Sequence, residues 1–86
     1  MNTKMYFIYA ISSIHDNFIY VGMTQNVEKR VKQHNLGRQR STKPHKPFKL
    51  IFVEDVNGTR KEARIREKYW KTGIGKEKLR ILKDKN

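Results

Sequence analysis

Two runs dense in aromatic and β-branched residues, Met5 to Ile11 (MYFIYAI) and Phe18 to Gly22 (FIYVG), flank a short polar stretch near the start of the chain. Such residues fit a pleated, half-buried surface, so both runs read as strands. Ser12 to Asn17 between them supplies Ser, Asp and Asn, whose side chains hydrogen-bond nearby backbone and favour turns. The pair is therefore a hairpin, and it commits the chain to a sheet from the outset. Period-two geometry places Phe7, Tyr9 and Ile11 on one face of the first strand, with Tyr6, Ile8 and Ala10 opposite. Phe18, Tyr20 and Gly22 share a face of the second, with Ile19 and Val21 opposite. Where the hairpin register aligns these faces, Tyr9 and Tyr20 project from the same side.

A helix is expected next. Asn26 is an N-cap, Glu28 complements the helix dipole in the first turn, and Gly37 follows Asn35 and Leu36 as a stop. Val27, Arg30, Val31 and His34 fall within about 100° of helical arc, so the face meant for the sheet carries an arginine and a histidine. Arg38 to Pro47 is basic and broken by Pro44 and Pro47, and reads as a loop. Phe48 to Val53 is a third strand, and Asn57-Gly58 marks a turn. Thr59 with Glu62 forms a capping box that opens a second helix, where Ala63, Glu67 and Trp70 share a face with Glu67 at its edge. Gly73 and Gly75 interrupt that helix. Lys76 to Lys83 reads as a short third helix bringing Ile74, Leu79 and Leu82 to the core, to which Phe48, Tyr69 and Trp70 also belong. The fold class is α+β: a three-stranded, mainly antiparallel sheet flanked by helices in the order ββαβαα.

With 86 residues and no cysteine, one compact domain spanning residues 1–86 has to hold itself together by packing helix on sheet. Twenty Lys and Arg against eight Asp and Glu give a formal net charge of +12, whose natural partner is a polyanion. No stretch approaches the ~20 apolar residues a membrane span needs, and the N-terminal residues lack the apolar run of a secretory signal. The expectation is a soluble, cytoplasmic protein without membrane contact. Charge alone is equally at home in a basic protein that performs no chemistry.

Phe7-Ile8-Tyr9 followed by Tyr20-Val21-Gly22 resembles the paired motif that names the GIY-YIG nuclease family. Val27-Glu28-Lys29-Arg30 with His34 and Asn35 is similar to the arginine-and-histidine helix of that family, and Glu62 to Lys71 to its glutamate helix. The resemblance runs from residue 5 to about residue 83, and is strongest to small stand-alone bacterial members and to the nuclease domain of the nucleotide-excision repair incision subunit. It implies a metal-dependent DNA endonuclease acting in repair or recombination. Its implied catalytic residues are Tyr9, Tyr20, Arg30, His34 and Glu67, with Glu67 the sole protein ligand of Mg²⁺ or Mn²⁺, and no small-molecule cofactor.

The chemistry suits those residue types. A guanidinium matches phosphate oxygens with paired hydrogen bonds, as Arg30 would. A magnesium ion on one carboxylate keeps room for waters and phosphate oxygens. Tyr9 or Tyr20 would position the water or contact the scissile phosphate, and an unperturbed phenol with a pKa near 10 needs help to act as a base. His34, one turn from Arg30, would hydrogen-bond a tyrosine hydroxyl and relay its proton. Gly22 would keep the backbone clear of substrate. Arg38, Arg40, Lys43 and Lys46 are the expected phosphate footprint, with Lys43 nearest the site.

Taken singly, the tyrosines read as ordinary strand residues, His34 as structural and Glu67 as a solvated helix residue; joint placement carries the functional reading. Two departures from the family pattern stand out. Phe7 replaces the first glycine of the name motif, and no asparagine follows Trp70 until Asn86 where many members have one supporting the site. No appended DNA-reading module is expected. The competing reading is a non-catalytic or weakly active DNA-binding module on the same fold.

Overall fold

A computed structural model describes residues 4–85. The chain runs β1 (Lys4–Ser13), β2 (Ile19–Thr24), α1 (Val27–Asn35), a 3₁₀ turn (Lys43–His45), β3 (Phe48–Gly58), α2 (Arg60–Lys71) and α3 (Gly73–Lys85). The three strands form one sheet in the order β2-β1-β3, antiparallel throughout. The expected α+β class and element order are those of the structure.

The central strand β1 divides the molecule into two apolar layers. Ile8, Ala10, Ile19, Val21 and Ile51 on one face pack against Ala63 and Trp70 of α2 and Leu79 of α3. Tyr9, Ile11 and Phe48 on the other face pack against Val27 and Val31 of α1, joined by Phe18 and Tyr20. The alternation read from the hairpin is thus the alternation of the two layers. Tyr9 stands opposite Gly22 and Ile11 opposite Tyr20 in the β1–β2 register.

Local chemistry fixes the helix ends. The Asn26 side chain accepts from the Lys29 amide at 3.0 Å and starts α1. The helix stops in a Schellman arrangement: the Gly37 amide donates to the His34 carbonyl and the Arg38 amide to that of Gln33. Gly37 has φ +76°, a left-handed conformation that suits a residue without a Cβ. The reciprocal capping box of Thr59 and Glu62 opens α2 as expected. No helix among the described residues is long and apolar enough to cross a membrane.

The structure corrects three local expectations. Strand β3 continues through Asn57-Gly58 instead of turning there, because Lys4, Met5 and Tyr6 of β1 pair with Gly58, Asn57 and Val56. Helix α3 begins at Gly73, with the Thr72 hydroxyl accepting from the Gly75 amide at 3.2 Å. Ile74 is 68 % exposed and lies outside the core, which takes Leu79 and half of Leu82.

Candidate active site

Tyr9 is fully buried in β1, and its ring leans across the sheet onto β2. A Cβ on Gly22 would lie 2.6 Å from the Tyr9 hydroxyl oxygen and 2.8 Å from two ring carbons. The glycine therefore makes the slot in which the tyrosine lies, and the ring fills the space it leaves.

From that slot the Tyr9 hydroxyl meets His34 Nε2 at 2.8 Å. His34 is also fully buried, and its second nitrogen, Nδ1, lies 2.9 Å from the Thr42 hydroxyl. Tyr20 closes the group, its ring centroid 4.9 Å from that of His34 and 6.2 Å from that of Tyr9. Phe48 packs edge-on against His34 at 6.1 Å. Asn35 braces this end of α1: its side chain accepts from the Phe48 amide at 2.6 Å and donates to the Phe48 carbonyl at 3.3 Å.

Arg30 sits one helical turn before His34. Its Nε is buried and has no hydrogen-bond partner among the described residues. The guanidinium bears on both neighbours. Its positive charge favours ionisation of the Tyr9 hydroxyl and opposes protonation of His34.

Burial dominates both titrations. It pushes the Tyr9 phenol up to about 12, against the smaller opposing pull of Arg30. It also holds the His34 imidazole below its ordinary range, with Arg30 adding to the effect. At neutral pH the pair is a neutral phenol on a neutral imidazole.

Glu67 enters from α2, on the other side of the sheet, and its charge also acts on the Tyr9 hydroxyl. The carboxylate is 7 % exposed and is held by Lys71 Nζ at 3.2 Å and Arg64 at 3.4 Å. Tyr9 thus interacts with His34, Arg30, Tyr20 and Glu67 together.

Arg38, Arg40, Lys43 and Lys46 are exposed on the segment between α1 and β3. Among the described residues none of the four joins the Tyr9 group through a side-chain hydrogen bond or ion pair. The segment contributes instead through Thr42, fully buried in an otherwise basic loop, which the sequence reading passed over. Nothing local in RQRSTKPHKP singles it out, since only the closed loop brings it to His34. Arg64 and Lys71 were likewise unremarked, although their spacing of three and four residues from Glu67 allows both pairs on a helix. The roomiest concavity described, about 830 Å³, lies elsewhere, between α1 and β3, and its apolar walls include Phe7, Val27, Val31, Leu50 and Val53.

Residues 5–80 match the GIY-YIG catalytic domain. UPF0213 protein YazA of Bacillus subtilis is 37 % identical over 86 residues, covering 99 % of this chain and 85 % of its own length. A UPF0213 protein of Bacillus licheniformis is 36 % identical over 86 residues, covering 99 % of this chain and 87 % of its own. A third, from Clostridium perfringens, is 38 % identical over 72 residues, covering 83 % of this chain and 76 % of its own. No solved structure matches significantly. A match over most of the chain, with relatives more than 30 % identical over nearly all of it, shows descent from one ancestor: this chain belongs to the GIY-YIG catalytic domain family.

Proposed function

We propose that the protein is a metal-dependent endonuclease that hydrolyses DNA phosphodiester bonds. The observation that carries the reading is the buried, unpartnered Nε of Arg30 beside the Tyr9–His34 pair. A buried donor without an acceptor is costly, and few native groups remain in that state without a use. An anionic oxygen from outside the chain supplies the missing acceptor, and a guanidinium suits phosphate. The net charge of +12 brings a polyanion to it.

The donor set fits a hard divalent cation. Glu67 offers one buried carboxylate, now balanced by Arg64 and Lys71, whose side chains are 53 % and 49 % exposed. Both can swing into solvent, and a divalent ion would replace their two charges. Magnesium is commonly held by one or two carboxylates plus substrate phosphates, and when bound it would polarise the phosphate and neutralise developing charge.

The protein's own groups do the rest. Arg30 holds a non-bridging phosphate oxygen and stabilises the charge that grows on it in the transition state. A phenol with a pKa near 12 does not ionise at neutral pH. Tyr9 therefore acts by exchange: its oxygen takes a proton from the attacking water while its own proton passes to His34 Nε2. His34 is neutral and ready to receive it. Water's oxygen bonds to phosphorus, the bond to the leaving sugar oxygen breaks, and that oxygen is protonated from solvent. Tyr20 packs beside the Tyr9–His34 pair, and the exposed Arg38, Arg40, Lys43 and Lys46 hold flanking phosphates.

Supercoiled plasmid and branched DNA incubated with Mg²⁺ or Mn²⁺ test the assignment. Wild type is expected to nick. Glu67→Ala should lose nicking, and Arg30→Ala should lose turnover by about a hundredfold or more with a far smaller change in DNA Kd. Nicking that survives Glu67→Ala would overturn the assignment. So would an inert wild type whose Glu67→Ala variant binds DNA as well or better, the pattern of a binding module.

A further inference from the structure

Both ring nitrogens of His34 are engaged, so its neighbours decide which one carries the proton. The contacts form a chain. Tyr9 Oη lies 2.8 Å from Nε2, Nδ1 lies 2.9 Å from Thr42 Oγ1, and Thr42 Oγ1 lies 3.4 Å from the Gln39 carbonyl oxygen. Tyr9, His34 and Thr42 are each fully buried, so every proton in the chain must find its acceptor inside the protein.

The two ends set the polarity. At the first, the nearby Arg30 guanidinium carries donors only and has no lone pair with which to take the Tyr9 proton. The Tyr9 proton is therefore directed to His34 Nε2. At the second, the Gln39 carbonyl only accepts, and a threonine hydroxyl readily donates to the carbonyl three residues back. Thr42 then has a lone pair, not a proton, to turn towards Nδ1. Both ends ask for the same arrangement: Nε2 bare and Nδ1 protonated.

We infer that Thr42 is a positioning residue that holds His34 in the Nδ1–H tautomer, so that Nε2 faces Tyr9 as a proton acceptor. The tautomer follows from the hydrogen-bond chain alone; its consequence for turnover rests on the endonuclease reading above. Thr42→Val keeps the shape and removes the acceptor for Nδ1–H. The ring relieves that buried donor by moving its proton to Nε2, and Nε2–H then confronts the Tyr9 hydroxyl donor to donor. Tyr9 turns its proton away and the relay is broken.

Nitrogen-15 NMR of the full chain, with His34 assigned and observed at neutral pH, reads the tautomer directly. In wild type, Nδ1 should show the shift of a protonated nitrogen and Nε2 that of a bare one. Thr42→Val should exchange or mix the two signals, and Thr42→Ser, which restores the hydroxyl, should return them to the wild-type pattern. In plasmid nicking, Thr42→Val should lower kcat by at least about tenfold, as expected for a misdirected general base, while KM for DNA stays within about twofold. Ser should recover most of the rate. A wild-type His34 protonated on Nε2 overturns the inference, as does a Thr42→Val spectrum identical to wild type. If the valine variant does not fold, the wild-type and serine spectra still decide the matter. Correct tautomers without nicking in any protein refute the endonuclease reading and leave the positioning role standing.

Discussion

Tyr9 shows how one residue comes to depend on the whole site. Its hydroxyl bonds to His34 and feels the charges of Arg30 and Glu67, yet burial outweighs the cation and the phenol is harder to ionise than in water. That has a consequence for stability. The folded pKa, about 12, lies above the ordinary phenol value of 10.0, so between these limits the unfolded chain releases a proton that the folded chain keeps. The stability tied to this proton is fully present below the lower value and lost as pH rises towards the upper one, a decline of about 3 kcal/mol at most. Urea unfolding followed upward from neutral pH should show this decline in wild type and a visibly shallower one in Tyr9→Phe. Equal slopes in the two proteins would mean that the phenol titrates normally in the folded state.

At the scale of elements, the joint between α2 and α3 sets how closely the two helices pack. Gly75 lets α3 fold back closely: a Cβ there would lie 2.5 Å from the Tyr69 carbonyl oxygen and 2.6 Å from Trp70 Cα. These are backbone atoms of α2 and cannot swing aside. Gly73, two residues earlier, has nothing within 4 Å of the same position. Gly75→Ala should therefore cost about 1–3 kcal/mol, while Gly73→Ala should be neutral or stabilising by up to ~1 kcal/mol. Thermal melts of both variants check the contrast. This asymmetry was not legible in the sequence, where both glycines read alike as interruptions. What was legible came from short-range signals: alternation in the hairpin, the Asn26 and Thr59 caps, the Gly37 stop, and the helix face shared by Arg30 and His34. What was missed depends on partners distant in sequence. Strand β3 outruns its own turn signal because β1 pairs with it to Gly58. Glu54, on that extension, accepts from both Arg66 and the Trp70 indole, a role that its neighbours in sequence do not announce. Thr42 became visible only once its loop had closed on His34.

Over the whole molecule, the acidic residues are few and mostly committed, which decides how the charge is felt outside. Asp16 pairs with His45, Glu54 with Arg66, Glu67 with Arg64 and Lys71, and Glu77 with Arg80, while Glu62 caps α2. Among the described residues, Glu28, Asp55 and Asp84 are the acids of the eight that make no such contact. The surplus of Lys and Arg is therefore left to face outward, and the loop from Arg38 to Lys46 concentrates part of it on the segment that also delivers Thr42 to the site. A protein that binds through phosphates releases a condensed counterion at each contact, so its affinity falls steeply with salt. DNA Kd measured across a salt series should give a linear log–log plot for wild type. Lys43→Gln and Lys46→Gln should each reduce the slope by roughly one where the lysine neutralises a phosphate, and weaken binding to all DNA sequences alike. Arg30→Ala should behave differently, because its buried Nε is turned to the Tyr9–His34 pair and its effect is concentrated on turnover. An unchanged slope in the Lys43 and Lys46 variants would move the phosphate track off this loop to another basic face of the molecule. The same series thus separates the residues that bring DNA to the protein from those that act on it.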